Sequence, residues 1–234
     1  MSWFSVHSHG AEAFAWLGND IGCDGPGADA FVEALGDAST VRLRIDSNGG
    51  DMVTGLAIAD ALRGRDTVAT VDRKCFSSAV PGMLVARRRV IREDALVMVH
   101  LAVTAAYGGR LELRHAMETL AGANARLFEL LLERTGRTRF EIAEWLRRDR
   151  YFTPAEAVAA GLADEIAPAK EEHERAIEAP AMEVAATAAV RPWTPAEWLL
   201  LDILNAVGHV DTHDRERLGR EVGLWFQQNV GAPG

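Results

Sequence analysis

Several kinds of segment are missing from this sequence, and each absence narrows the class of protein. No run approaches the roughly 18 apolar residues of a membrane-spanning helix, so we expect no membrane partner. The start, MSWFSVHSHGAEAF, lacks the basic residues and apolar core of a secretion signal, which favours a cytoplasmic location. Cysteine is scarce, and in such a chain Cys23 and Cys75 are expected to be free thiols.

Motifs for metals, nucleotides and nucleic acids are missing as well. No CxxC or HExxH occurs, so the sequence supports neither a metal site nor a cofactor. No GxxxxGKS/T loop occurs, so any ATP-driven step must come from a partner. The net charge of −9 argues against broad nucleic-acid binding, and we interpret the basic run at 86–92 as a solvated or interface face.

What the chain does contain is an alternation of strand and helix patterns. Apolar periodicity predicts strands at 40–47, 67–71 and 95–100, and helices at 27–38, 52–64 and 77–86. In the first helix, Phe31, Val32 and Leu35 are predicted to form the apolar side. Strands that alternate with helices indicate crossover units, and therefore an α/β fold with a mainly parallel sheet.

The second half of the chain is mostly helical in pattern. A long helix is predicted from about residue 110 to 134, ended by Gly136, and a second at 139–149. A third begins at a capping box, Thr153–Glu156, and a short strand follows at 162–166. We predict a catalytic domain at 1–167, a linker at 168–192 that is rich in Ala, Glu and Pro, and a helical extension at 193–230.

Candidate catalytic residues fall where predicted strands end. Ser77 and Ser78 start a helix after one strand, His100 ends the next, and Gly49–Gly50 follows a third. Parallel α/β sheets place ligand sites at such carboxyl ends, so these groups are expected to share one edge. A serine nucleophile also needs a carboxylate to orient its base, and Asp149 could supply it. Each residue alone has an ordinary reading, as a helix cap, structural histidine, tight turn or surface acid.

Four segments together resemble a known family. The runs RIDSNGGDMVTGLAIADAL, CFSSAVPGMLVA, ALVMVH and RRDRYFTPAEAVAAGLADEI are similar to the glycine-pair, nucleophile, histidine and aspartate segments of the Clp protease proteolytic subunit, ClpP. The resemblance runs from about Trp3 to Ile166, and the opening looks more like the ClpP-related head maturation proteases of tailed phages. It implies the ClpP/crotonase-like fold, with flanking helices, and a serine endopeptidase.

The resemblance also assigns roles to residues. It makes His100 the general base and Asp149 its orienting group, and it favours Ser78 as the nucleophile with Ser77 as the alternative. The oxyanion and substrate-binding backbone would come from Gly49, Gly50 and Ala79. It further implies a homo-oligomeric ring or stacked rings, a peptide or protein substrate, no cofactor, and a separate ATPase or phage capsid proteins as partners.

The sequence departs from the family pattern near the site, which keeps other functions open. Asn48 stands where the family has proline before the glycine pair, and Arg73 or Lys74 stands where it has glycine. After the base, the family's HQP or HNP is HLA. The alternatives are a catalytically impaired ClpP-like structural or regulatory subunit, and an acyl-CoA enzyme of the crotonase type, which would need no Ser–His–Asp set.

Overall fold

A computed structural model describes residues 2–23 and 25–169. The predicted linker lies outside the described residues except for 168 and 169, and the predicted helical extension at 193–230 lies outside them entirely. The strands of the described part are β1 (Phe4–His9), β2 (Glu12–Ile21), β3 (Thr40–Gly50), β4 (Asp66–Phe76), β5 (Arg88–Arg92), β6 (Leu96–Val99), β7 (Arg150–Phe152) and β8 (Glu165–Ala167). Its helices are α1 (Ala28–Leu35), α2 (Met52–Leu62), α3 (Val80–Leu84), α4 (Arg110–Thr135), α5 (Arg139–Leu146) and α6 (Pro154–Ala160), and a 3₁₀ turn covers Ser77–Ala79.

The sheet is mainly parallel and forks at β4. Its strand order is β1-β2-β3-β4-β5-β8, and β6 and β7 continue from the far end of β4. The first half of β4 pairs with β5, and its second half, Lys74–Phe76, pairs with β6. Only the pairs β1–β2 and β6–β7 are antiparallel among the described strands. The expected α/β class, with a mainly parallel sheet and flanking helices, is confirmed.

Alternation along the strands places one face of the sheet in the core. In β3, Val41, Leu43 and Ile45 are fully buried, while the intervening Arg42 is exposed. Helices α2 and α3 lie together over this apolar face, and α4 packs on both. In the described ranges, no helix is long and apolar enough to cross a membrane.

Helix ends follow the sequence signals. The predicted capping box is present: Thr153 accepts a hydrogen bond from the N–H of Glu156, whose side chain accepts one back. A second box, which the sequence interpretation missed, starts α5 at Thr138 and Glu141. Both glutamates have a pKa lowered from its ordinary value, first by the hydrogen bond from the cap backbone. Gly136 ends α4 in the left-handed conformation, as expected.

The interpretation of residues 86–92 as a solvated or interface face is wrong for most of the segment. Residues Arg88–Arg92 form the core strand β5, and Arg89 is buried beside Asp164. Three consecutive arginines at 87–89 concealed the strand, because a buried arginine needs a carboxylate partner that sequence spacing does not show. Val32 was also misplaced: it is 41% exposed, whereas Phe31 and Leu35 are buried.

Candidate active site

Strand register brings the three predicted catalytic segments to one edge of the sheet. Phe76 pairs with Met98 in β6, and Met98 pairs with Tyr151 in β7. Because β6 and β7 are antiparallel and Val99 pairs with Arg150, the next positions bring His100 and Asp149 together. The rings of Phe76 and Tyr151 also meet edge to face, with centroids 5.6 Å apart. This contact fixes the segment after Asp149 against the segment before Ser77.

Ser77 is the serine that meets the histidine. Its Oγ lies 2.8 Å from Nε2 of His100, which is hydrogen-bond distance. Ser77 has φ +52°, in the left-handed region that residues other than glycine rarely adopt. The chain turns here from β4 into the 3₁₀ turn and α3. A reactive side chain held at a tight strand-to-helix turn is the arrangement that exposes a nucleophile at a sheet edge.

The other ring nitrogen of His100 is turned toward Asp149. Nδ1 of His100 lies 3.5 Å from Oδ1 of Asp149, somewhat beyond a normal hydrogen bond. The Asp149 side chain is 64% exposed. Catalytic contacts in free enzymes are often long and tighten when substrate binds. With the ring proton on Nδ1, facing the carboxylate, Nε2 is left to accept a hydrogen bond from Ser77.

Ser78, which the sequence favoured as nucleophile, is placed elsewhere. The residue is 1% exposed, and its Oγ has no hydrogen-bond partner in the described structure. The backbone turn at Ser77 directs consecutive side chains apart, so only one of the two serines can face His100. The geometry therefore replaces Ser78 by Ser77 as the candidate nucleophile. With Ser77 as the candidate nucleophile, the residue that follows it is Ser78, whereas Ala79 lies one position further along the chain and is buried.

The glycine pair lies directly against the serine turn. A side chain at Gly49, which has φ +98°, would place Cβ 2.7 Å from both the carbonyl oxygen of Phe76 and Cβ of Ser77. Only glycine allows the two segments to approach so closely. The N–H of Gly49 donates to Oγ of Ser47, so it is already engaged. Gly50, next along the chain, lines the same cleft as Ser77.

A cleft of about 430 Å³ opens beside Ser77 and His100. Most of its wall is apolar and comes from three segments: the start of α2, the loop after His100, and one side of α4. Its other lining residues are Gly50, Asp51, Met52, Val53, Ala102, Val103, Thr104, His115, Ala116, Thr119, Leu120 and Ala123. Sequence reasoning did not single out this wall, because its segments are far apart along the chain.

Asn124 is a further residue that the sequence interpretation missed. Its side-chain oxygen accepts a hydrogen bond from the N–H of Ala102 at 2.7 Å, and its amide nitrogen donates to the Ala102 carbonyl oxygen at 3.5 Å. These contacts hold the loop after His100 on α4, along the cleft. An amide beside the buried Ala123 and Leu127, on a face of α4 that packs in the core, was the available signal.

The site is built from side chains and backbone without a cluster suited to a metal. The described residues contain no group of three or more His, Cys, Asp or Glu side chains able to hold a metal ion. Both cysteines are free: Cys23 is exposed, and Cys75 is buried, which raises the pKa of its thiol. Cys75 lies two residues before Ser77, but burial keeps its thiol protonated and away from the cleft.

Comparison with protein families identifies the family of this chain. A family model described as Clp protease matches residues 30–170, which is more than half of the chain. The chain belongs to the Clp protease family. The match covers β3, the serine turn, His100 and Asp149, so every candidate catalytic residue lies inside it. Clp proteases are peptidases that typically form oligomeric rings and act on protein substrates.

Proposed function

We propose that this chain is a serine endopeptidase whose catalytic triad is Ser77, His100 and Asp149. The observation that carries the proposal is the 2.8 Å contact between Oγ of Ser77 and Nε2 of His100, at a non-glycine residue with positive φ. A serine held this way costs free energy, about 1–3 kcal/mol, and such strain is concentrated at functional sites. Membership of a peptidase family supports the same chemistry.

In the proposed reaction, His100 transfers one proton in each of the two halves of the cycle. Oγ of Ser77 attacks the peptide carbonyl carbon while Nε2 of His100 takes the hydroxyl proton, and the carboxylate of Asp149 stabilises the imidazolium. The imidazolium then gives the proton to the leaving amine, which leaves an ester on Ser77. Water then attacks that ester while Nε2 of His100 takes a proton from it, and the imidazolium returns this proton to Oγ of Ser77 as the ester bond breaks and the acid product departs.

The oxyanion would be bound by backbone N–H groups of Gly50 and Ser78. Gly50 lines the cleft with Ser77, and Ser78 follows the nucleophile at the start of a helical turn, where N–H groups have no partner within the turn. The N–H of Gly49 is unsuitable because Ser47 accepts it. We assign Gly49 the role of letting the end of β3, which carries Gly50, approach the serine turn.

The cleft supports a peptide with an apolar side chain next to the scissile bond. Met52, Val53, Val103 and Leu120 supply apolar surface around Ser77. A volume of about 430 Å³ accommodates more than one side chain, which suits an extended segment of chain better than a single amino acid.

A homo-oligomeric ring is part of the proposal. Val103, Tyr107, Leu111 and Met117 are exposed apolar residues along the loop after His100 and the first half of α4. Apolar surface concentrated this way is typical of an interface. The head-maturation role, a separate ATPase or capsid partner, the domain limits and a cytoplasmic location stay predictions of the sequence.

Two serine variants test the proposal. Ser77→Ala should lower peptide hydrolysis by about 10³-fold or more, the usual result of removing a triad member. Ser78→Ala should retain most of the activity, since Oγ of Ser78 contacts neither His100 nor the cleft. The opposite pattern would return the nucleophile to Ser78. Absence of any serine-dependent hydrolysis or labelling in the wild-type chain would favour the catalytically impaired alternative.

A further inference from the structure

Strand β4, which ends at the residue before Ser77, contains an irregularity in its pairing with β3. Ile45 of β3 pairs with Val71 of β4, but Ser47 pairs with Cys75. Between these two pairs β3 has one residue, Asp46, and β4 has three, so β4 holds two extra residues between Val71 and Cys75. An extra residue in one strand interrupts the hydrogen-bond ladder and changes the direction of the strand.

Two side-chain pairs cross from this bulge to β3. Arg73 donates to Oδ2 of Asp46 through Nε at 2.9 Å and through a terminal nitrogen at 2.7 Å. Nζ of Lys74 donates to Oδ1 of Asn48 at 2.7 Å. The bulge thus replaces part of the backbone ladder with side-chain hydrogen bonds to the strand it no longer follows in register.

The second pair joins the two segments that form the reaction centre. Asn48 directly precedes Gly49 and Gly50, and Lys74 lies three residues before Ser77. The spacing between these segments is tight, because a Cβ at Gly49 would lie 2.7 Å from Cβ of Ser77. A small shift of one strand along the other would move the N–H of Gly50 relative to Oγ of Ser77.

We propose that Asn48 and Lys74 are positioning residues, whose hydrogen bond sets the distance between the glycine pair and Ser77. Neither residue is among those that line the cleft. The inference rests on the proposed function, because it concerns the geometry of that site. Asn48 stands where the family pattern has proline, and it provides the side chain to which Lys74 donates.

Removing an exposed hydrogen bond that has no such role would change neither the stability nor the reaction rate of Ser77 by much. Exposed pairs of this kind contribute little to stability. Misplacement of reacting groups by about 1 Å, in contrast, can cost up to 10²-fold in rate. A positioning role therefore predicts a slower reaction of Ser77 when the pair is removed, and an ordinary surface hydrogen bond predicts no change. Both predict similar thermal stability.

The test is a double-mutant cycle on the full chain, with Asn48→Ala, Lys74→Ala and the two combined. The readouts are the rate at which a fluorophosphonate probe modifies Ser77, kcat and KM for a peptide, and Tm. We expect each single replacement to slow modification and lower kcat about tenfold with little change in KM. The double variant should be no slower than either single one. Lys74→Arg keeps a donor and should retain most of the rate.

The control is a comparable pair on the same strand but far from the site. Arg42 of β3 donates to Glu12 of β2 at 2.8 Å, near the opposite end of both strands. Arg42→Ala should leave the modification rate unchanged. Wild-type rates in the Asn48 and Lys74 variants, or effects that simply add, would overturn this inference alone. Failure of the probe to modify the wild-type chain would overturn the proposed function, and this inference with it.

Discussion

At the scale of single residues, Ser77 shows how neighbours impose a conformation that its own chemistry does not favour. Serine has no special tolerance of positive φ, so the strain must be held by the surroundings. Gly49 leaves space on one side of the turn, and the ring of Phe76 is fixed by Tyr151 on the other. This dependence on distant neighbours explains why the sequence alone favoured Ser78 over Ser77.

Asp164 gives a prediction of pH dependence. Burial raises the pKa of this carboxyl, but hydrogen bonds from the side chain and backbone N–H of Arg89 outweigh it, so the pKa is lowered from its ordinary value. Arg89 is buried and also donates to the Gly161 carbonyl oxygen. The ionised carboxylate therefore stabilises the folded state at any pH above the ordinary pKa of aspartate. That contribution is lost as the pH falls through the lowered pKa of Asp164.

Urea unfolding between pH 3 and 7 measures this contribution. The wild-type free energy of unfolding should fall below about pH 4, where unfolded-state aspartate protonates. Asp164→Asn should cost about 2 kcal/mol at pH 7, less than for a fully buried pair because the carboxylate is partly solvated, and the cost should shrink toward pH 3. An equal cost at both ends of the range would mean that charge on Asp164 contributes nothing.

At the scale of elements, much of the fold was predictable from periodicity. The strands around 40–47, 67–71 and 95–100 and the helix from 110 were located because their apolar spacing reflects one buried face. His100 and Asp149 were also named from sequence, and register brings them within 3.5 Å. The bulge in β4 was not predictable, because it depends on pairing with β3 through residues far away in sequence.

Helix α2 offers a prediction about the element that supports the serine turn. A side chain at Gly55, on α2, would place Cβ 2.1 Å from the carbonyl oxygen of Ser78, a backbone atom. Gly55→Ala should therefore push the turn away from α2, lower stability by about 1–3 kcal/mol and slow modification of Ser77. The measurements are Tm and the rate of reaction with the fluorophosphonate probe.

Gly122 is the matched control for Gly55, since it lies within helix α4 and has no atom within 4 Å of a built Cβ. Gly122→Ala should stabilise the fold by about 0.4–1 kcal/mol and leave the reaction of Ser77 unchanged. Wild-type behaviour of Gly55→Ala would show that α2 does not support the serine turn.

At the scale of the whole molecule, the two halves of α4 have different surroundings. Leu127, Leu130 and Leu131 of its second half are buried in the core, whereas Leu111 and Met117 of its first half are 75% and 72% exposed. The helical spacing of leucines predicted one apolar face, but only part of it is covered within the described chain. Assembly into a ring would cover the remainder, consistent with the family.

The test of this surface is to introduce charge, with Leu111→Glu combined with Met117→Glu. Burying a carboxylate in an apolar interface is costly, so we expect the oligomer to dissociate to smaller species. Light scattering at micromolar concentration measures the mass, and Val32→Glu, at an exposed position on α1, is the control. A wild-type chain that is monomeric, or a double variant of unchanged mass, would contradict the ring.

The most direct measurement of the central claim is the site of modification by the fluorophosphonate probe. The probe forms a bond from serine oxygen to phosphorus with loss of fluoride, and it needs an activated hydroxyl. Mass spectrometry of the digested adduct should place the added mass on Ser77, and His100→Ala should abolish the modification. An adduct on Ser78, or one that forms equally well without His100, would contradict the account.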